Sequence, residues 1–163
     1  MAQQMMNLKP GVWDYQGPKA PIITPQEWIT KVSRHRLSDN VSSDLRALFN
    51  GAQAMLAYGC YSYQLCTLAV EQLLRVLEGA LTSQCVALKG PGEKKPLQEK
   101  LKWLCDSGFI TKDQWHGWDQ LRAIRNSTSH PSFQMLMPPA FIDQVFAFLC
   151  EDIESLFRQA TKP

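Results

Sequence analysis

The sequence predicts an all-α fold, and three observations predict it. Apolar residues recur at helical spacing in several long segments. No segment alternates apolar and polar residues as a half-buried strand does. The breaks between segments fall at proline, glycine and capping residues. The chain shows no internal repeat, and 163 residues suffice for one domain with a sizeable core. The expected organisation is a bundle of four main helices plus one or two short ones over 24–163, preceded by an extended or partly disordered N-terminal arm over 1–23.

Each element has a local reason. The arm contains Pro10, Gly11, Gly17, Pro18 and Pro21, which oppose regular structure. Thr24-Pro25-Gln26-Glu27 combines an N-cap, a proline at the first helical position and a capping glutamate, so a short helix opens there and runs to about 33. Val41, Leu45, Leu48, Phe49, Ala52, Met55 and Leu56 predict a helix over about 39–57, interrupted by Gly59. From Tyr61 to about Leu88 runs the longest periodic segment, with Leu65, Leu68, Ala69, Leu73, Val76, Leu77 and Ala80 apolar. Its other face carries Glu71, Arg75, Glu78 and Thr82, spaced four, three and four apart and so on one stripe. GPGEKKP, 90–96, reads as a loop. Leu97 to Asp106 is a short helix closed by Gly108. Thr111 with Gln114 is a second capping box, opening a helix that reaches Arg125. A loop over 126–137 leads to Pro138-Pro139. The last helix then buries a seam of Ile142, Val145, Phe146, Leu149, Ile153, Leu156 and Phe157.

Composition narrows the function. A formal charge of +2 neither demands nor forbids a nucleic-acid partner, because the local patch decides. No apolar run has the length to span a bilayer, and MAQQMMNLKPG lacks the pattern of a signal peptide, so no membrane association and a cytoplasmic location are expected. Cys60, Cys66, Cys85, Cys105 and Cys150 are odd in number, scattered and without a CxxC pair, which reads as reduced thiols rather than a disulfide frame or zinc site. His35 and His116 stand at no metal-ligand spacing from them, so neither metal nor cofactor is expected. Phosphate-loop, dinucleotide, nucleophile-elbow and zincin fingerprints are absent from the sequence.

One stretch stands apart: LRAIRNSTSHP, 121–131. It begins as an amphipathic helix and runs into Asn126, Ser127, Thr128 and Ser129, which compete for backbone hydrogen bonds and favour helix ends. Pro131 pushes His130 out of the helical region. One reading is a helix C-terminus with cations near the last carbonyls. The other is that the polar run breaks the helix and holds Arg125 and His130 for chemistry. Five residues apart on an unbroken helix, they would diverge around its axis.

Arg125-Asn126-Ser127-Thr128-Ser129-His130 resembles the R-N-x-x-x-H motif of the HEPN superfamily of small helical domains. PLQEKLKWLCDSGFITKDQWHGWDQLRAIRNSTSHP, 96–131, and LAVEQLLRVLEGAL, 68–81, are similar to a branch of uncharacterised bacterial HEPN domains, the pattern covering about 60–157. The resemblance implies a metal-independent endoribonuclease of bacterial defence or toxin–antitoxin type, acting as a homodimer whose motifs face each other. His130 would be the acid or base, since histidine titrates near ~6.5. Arg125 would stabilise phosphoryl charge, and Asn126 would position it or bind a phosphate oxygen. Glu71 is the candidate to orient these groups; the alternative is a solvated stripe with Glu71–Arg75 pairing.

Lys89, Lys94, Lys95, Lys100 and Lys102 form the densest positive segment. Lys94 and Lys95, with Arg122, are the candidates for RNA backbone contacts; such a run is otherwise ordinary surface. Trp103, Trp115 and Trp118 read as core or interface aromatics. Some HEPN toxins carry a tyrosine two residues after the histidine that a partner enzyme modifies. Here that position is Ser132, which argues against that control route. An antitoxin or other defence protein remains a possible partner. The competing functional readings are a non-catalytic HEPN-like module binding RNA, a nucleotide or a protein, and a plain helical adaptor.

Overall fold

The computed structural model describes residues 24–128 and 139–160, with side chains except at 124–128, 139–141 and 159–160. The 1–23 arm lies outside the described residues. Six helices follow one another: α1 (Pro25–Val32), α2 (Ser43–Tyr58), α3 (Tyr63–Ala87), α4 (Leu97–Asp106), α5 (Lys112–Thr128) and α6 (Pro139–Ala160). Among the described residues there is no strand, so the all-α class stands. No helix among them is long and apolar enough to cross a membrane.

The capping chemistry acts as expected. The Thr24 hydroxyl accepts from Glu27 N–H at 3.2 Å, and Glu27 Oε2 accepts from Thr24 N–H at 2.8 Å. These bonds hold the Glu27 carboxyl below its usual range. Thr111 and Gln114 reciprocate at the start of α5, at 3.2 and 2.9 Å. Gly108 takes φ +76° after α4, the left-handed conformation that glycine adopts without a Cβ penalty.

At 25 residues α3 is the longest helix and the hub, packing against α2, α4, α5 and α6. The apolar seam expected of α6 is buried from Ile142 to Phe157. Of the apolar positions expected on α2 and α3, Leu48 and Leu68 instead remain exposed.

Contacts between elements order the ends of the bundle. The α2–α3 hairpin is antiparallel: Leu45 near the start of α2 fills the space beside Gly79, late in α3. The 33–42 connection runs along α6, with His35 on Asp143, the Cys150 thiol on Arg36 O and Ser38 on Glu154. The same connection meets α2 in the reverse sense: Gln53 Nε2 donates to His35 O, and Arg46 pairs with Asp39. So α6 starts at the end of the bundle where α2 finishes. Trp28 of α1 lies at that end too, its indole N–H donating to Leu56 O at 2.9 Å.

Candidate functional site

Gln114 and Trp118, early in α5, both donate to Asp152, late in α6. The 129–138 connection then joins the end of α5 to the start of α6, so the two helices run antiparallel. The last turn of α5, carrying Arg125 and Asn126, therefore lies at the same end of the bundle as the α2–α3 turn.

The helix does not stop at Arg125. It continues through Asn126, Ser127 and Thr128, which the sequence placed in a loop. The reason is energetic scale. Polar residues cost only about 0.5 kcal/mol each in helix propensity. Tertiary packing of the helix face, here Trp118 and Leu121, supplies most helical stability and outweighs that. Position 125 comes seven residues, two turns, after Trp118. By register it falls on the helix face that carries Trp118 and Leu121. Any break that lets Arg125 meet His130 must lie beyond Thr128. His130 itself is outside the described residues.

Glu71 is half-buried on α3. It shares a stripe with Glu78 and Thr82, and Thr82 receives the ammonium of Lys100 from α4. The expected Glu71–Arg75 pair is absent among the described residues; Arg75 Nη1 instead reaches Gln72 Oε1 at 3.5 Å. Glu71 sits in the half of α3 nearer the α2–α3 turn, the end toward which α5 finishes.

The lysine-rich segment lies elsewhere and is smaller than expected. Lys100 is 2% exposed, its Nζ donating to Thr82 Oγ1 and Glu93 O, both at 2.8 Å. Its position on the inner face of α4 drags the ammonium inside, where it ties the 88–96 loop to α3. It is therefore lost to any surface patch. Lys94 and Lys95 are exposed, with Lys95 paired to Glu99 at 3.2 Å. Both stand beyond the C-terminal end of α3, away from the α2–α3 turn. Thr82 is already roughly 16 Å from Glu71 along the helix axis at 1.5 Å per residue. Arg122, half-buried on α5, is held by Asp119 at 2.7 Å. Trp118 is fully buried, while Trp103 and Trp115 pack on the core edge.

The structure assembles one cluster that the sequence did not show. His35 Nε2 and Asp143 Oδ1 lie 2.8 Å apart, and Lys31 Nζ lies 2.9 Å from Asp143 Oδ2. Both His35 and Asp143 are largely buried. The histidine and the aspartate are separated by 108 positions, a distance over which no spacing rule operates. The cluster clamps the first turns of α6, immediately after the segment bearing His130, onto α1. An open groove of about 410 Å³ is lined by Glu78, Gly79, Thr82, Ser83, Val86 and Glu93. Its two carboxylates make it a poor seat for a phosphate backbone. Among the described residues no group of histidine, cysteine and carboxylate side chains is arranged to hold a metal ion.

No family model, no curated protein and no solved structure matches the chain.

Proposed function

We propose that the chain is a HEPN-type, metal-independent endoribonuclease acting as a homodimer on cytoplasmic RNA in a bacterial defence or toxin setting. One observation supports this most: α5 runs on through Arg125 and Asn126 to Thr128, which puts both motif residues in its last turns at the bundle end, directly before the segment bearing His130. In the proposed reaction His130 takes the proton of a ribose 2′-hydroxyl, and the 2′-oxygen attacks the adjacent phosphorus. Arg125 holds the non-bridging oxygens as their charge grows. The 5′-oxygen leaves with a proton from the second copy's motif histidine. The products are a 2′,3′-cyclic phosphate and a 5′-hydroxyl end. Asn126 and Glu71 orient these groups. Exposed Lys94 can contact a long RNA, with Lys95 and Arg122 contributing once their acidic neighbours release them.

Because a guanidinium, not a divalent ion, neutralises the phosphorane, cleavage persists in EDTA and fails on the matching DNA strand. His130→Ala and Arg125→Ala each lower the rate by about 100- to 10,000-fold. Arg125→Lys keeps the charge but loses the bidentate geometry, and so also cuts poorly while remaining folded. If wild type binds RNA yet never cleaves it, the chain is a non-catalytic binding module. If all three variants melt early, LRAIRNSTSHP is a structural helix end.

A further inference from the structure

KVSRHR, 31–36, closes α1 and opens the 33–42 connection. From Trp28 to Ser38 the chain carries Lys31, Arg34 and Arg36 and no carboxylate. The backbone of this strip is pinned. Val32 O and His35 O both accept from Gln53 Nε2, and Arg36 O accepts from the Cys150 thiol. Its side chains divide between two sides. His35 turns inward to Asp143 and lies 6.2 Å, ring to ring, from Phe146, and Leu37 packs against the core. Arg34 and Arg36, on either side of His35, are exposed. Among the described residues no ion pair or side-chain hydrogen bond engages either guanidinium. The nearby carboxylates are already taken: Asp143 by Lys31 and His35, Asp39 by Arg46, and Glu154 by the N–H and hydroxyl of Ser38.

We infer that Arg34 and Arg36, with Lys31 beside them, hold the phosphate backbone of single-stranded RNA on the flank of the proposed cleavage site. The identity of the anion rests on the proposed function. The place of the strip favours it. Asp143, on which His35 and Lys31 are seated, lies four residues into α6, about 6 Å along the axis from Pro139. That is the end of the bundle where α5 finishes. The other candidate cations are worse placed: Lys94 and Lys95 stand beyond the far end of α3, Lys100 is buried, and Arg122 is held by Asp119. An arginine fork takes two phosphate oxygens at once, and one carried on a pinned backbone loses less freedom on binding. Such contacts fix the position of a strand without reading its bases.

The register of α6 sets the length of RNA required. Asp143, Cys150 and Glu154 fall on one stripe, and Asp152, which receives α5, falls on the opposite face. The strip and α5 therefore flank α6 on opposite sides. RNA passing from the end of α5 to the strip crosses one helix, about 12 Å, which at ~3.4 Å of rise per nucleotide is about four nucleotides.

The test uses the full chain and a fluorescent single strand of about eight nucleotides, twice that span, 2′-O-methylated throughout so that it binds without being cut. Anisotropy is read over a series of KCl concentrations. Wild type binds. Arg34→Gln combined with Arg36→Gln raises Kd roughly 10-fold or more and lowers the slope of log Kd against log[KCl] by about 1.4, two phosphate contacts at ~0.7 each. Arg34→Lys combined with Arg36→Lys keeps the slope, because charge sets it. Both variants keep the wild-type circular dichroism spectrum and Tm, since neither guanidinium is engaged in the fold. Lys89→Gln with Lys112→Gln removes the same charge at the other end of the bundle, where α3 finishes and α5 begins, and leaves Kd within about 2-fold, because screening confines each charge to its surroundings. A wild type that does not bind the strand overturns the inference. So does a glutamine variant with wild-type Kd and slope, or a lysine control that weakens binding as much. Phosphatidylserine vesicles or polyglutamate binding wild type as tightly as the RNA does also overturn it, in favour of a membrane or an acidic protein. Cleavage of unmodified RNA is measured separately. If wild type binds through the two arginines and never cuts, the strip stands and the nuclease reading fails. If wild type cuts and the glutamine variant binds and cuts as before, the nuclease reading stands and the strip fails.

Discussion

Asp152→Ala tests how α5 is held against α6. Asp152 is buried and is the common acceptor for Trp118 Nε1 at 2.5 Å and Gln114 Nε2 at 3.1 Å. Trp118 is wholly buried, so removing the carboxylate leaves its indole N–H without a partner, at about 1–3 kcal/mol. The lost Gln114 bond adds about 0.5–1.5 kcal/mol. About 3 kcal/mol is expected in urea unfolding followed by circular dichroism and tryptophan fluorescence. In a domain of this size it corresponds to a Tm lower by roughly 6–12 °C. Asp152→Asn keeps an acceptor for the indole and costs less. The pH dependence has a definite sign. Burial raises the Asp152 carboxyl above its ordinary value, against the two hydrogen bonds that lower it. A raised folded-state pKa gives stability that is full below the unfolded pKa and is lost as pH rises through the folded one. The gap between wild type and Asp152→Ala is therefore wider at pH 4.5 than at pH 7.5. A variant within about 0.5 kcal/mol of wild type at both pH values would refute the claim that this carboxylate fixes α5.

Two further expectations concern glycines and thiols. A Cβ on Gly90 would lie 2.6–2.7 Å from three atoms of the Trp103 ring, so Gly90→Ala lowers stability by about 1–3 kcal/mol. Gly51 lies inside α2 with nothing within 4 Å of its Cβ direction, so Gly51→Ala raises stability by about 0.5–1 kcal/mol, read from the same urea curves. Burial pushes the Cys66 thiol up to about 12, and Cys60 and Cys85 are also raised, chiefly by burial. At pH 8 these three thiols resist iodoacetamide in native protein and react in urea, as mass spectrometry of peptides will show.

The candidate site is less legible in the sequence than the fold. Arg125 and Asn126 are marked by their resemblance to R-N-x-x-x-H, and Glu71 by the same resemblance, since its stripe on α3 alone reads as a solvated face. The level that Glu71 and the end of α5 share follows from Trp118–Asp152 and Gln114–Asp152, contacts spanning 34 and 38 positions. Lys100 shows the limit most directly. In the chain it is one lysine among five in a hydrophilic run, and only the packing of α4 on α3 turns it inward onto Thr82.

What the chain determines by itself is what acts within a few residues. Helical periodicity, the Thr24–Glu27 and Thr111–Gln114 boxes and the left-handed Gly108 all operate inside one or two turns, and their chemistry is the same wherever the helix lands. The seam of α6 was visible because a helix must bury its apolar stripe against something. Which apolar residues stay outside was not visible, because Leu48 and Leu68 have the same period as their buried neighbours. Only the packing of α2 and α3 with the rest of the bundle leaves them exposed. The end of α5 differs from its local signal for a related reason: propensity favours a stop after Arg125, but its weights are about tenths of a kcal/mol, and the helix runs to Thr128. The tertiary structure also makes the His35–Asp143–Lys31 clamp, since a side-chain contact 108 positions apart exists only once the 33–42 connection lies along α6.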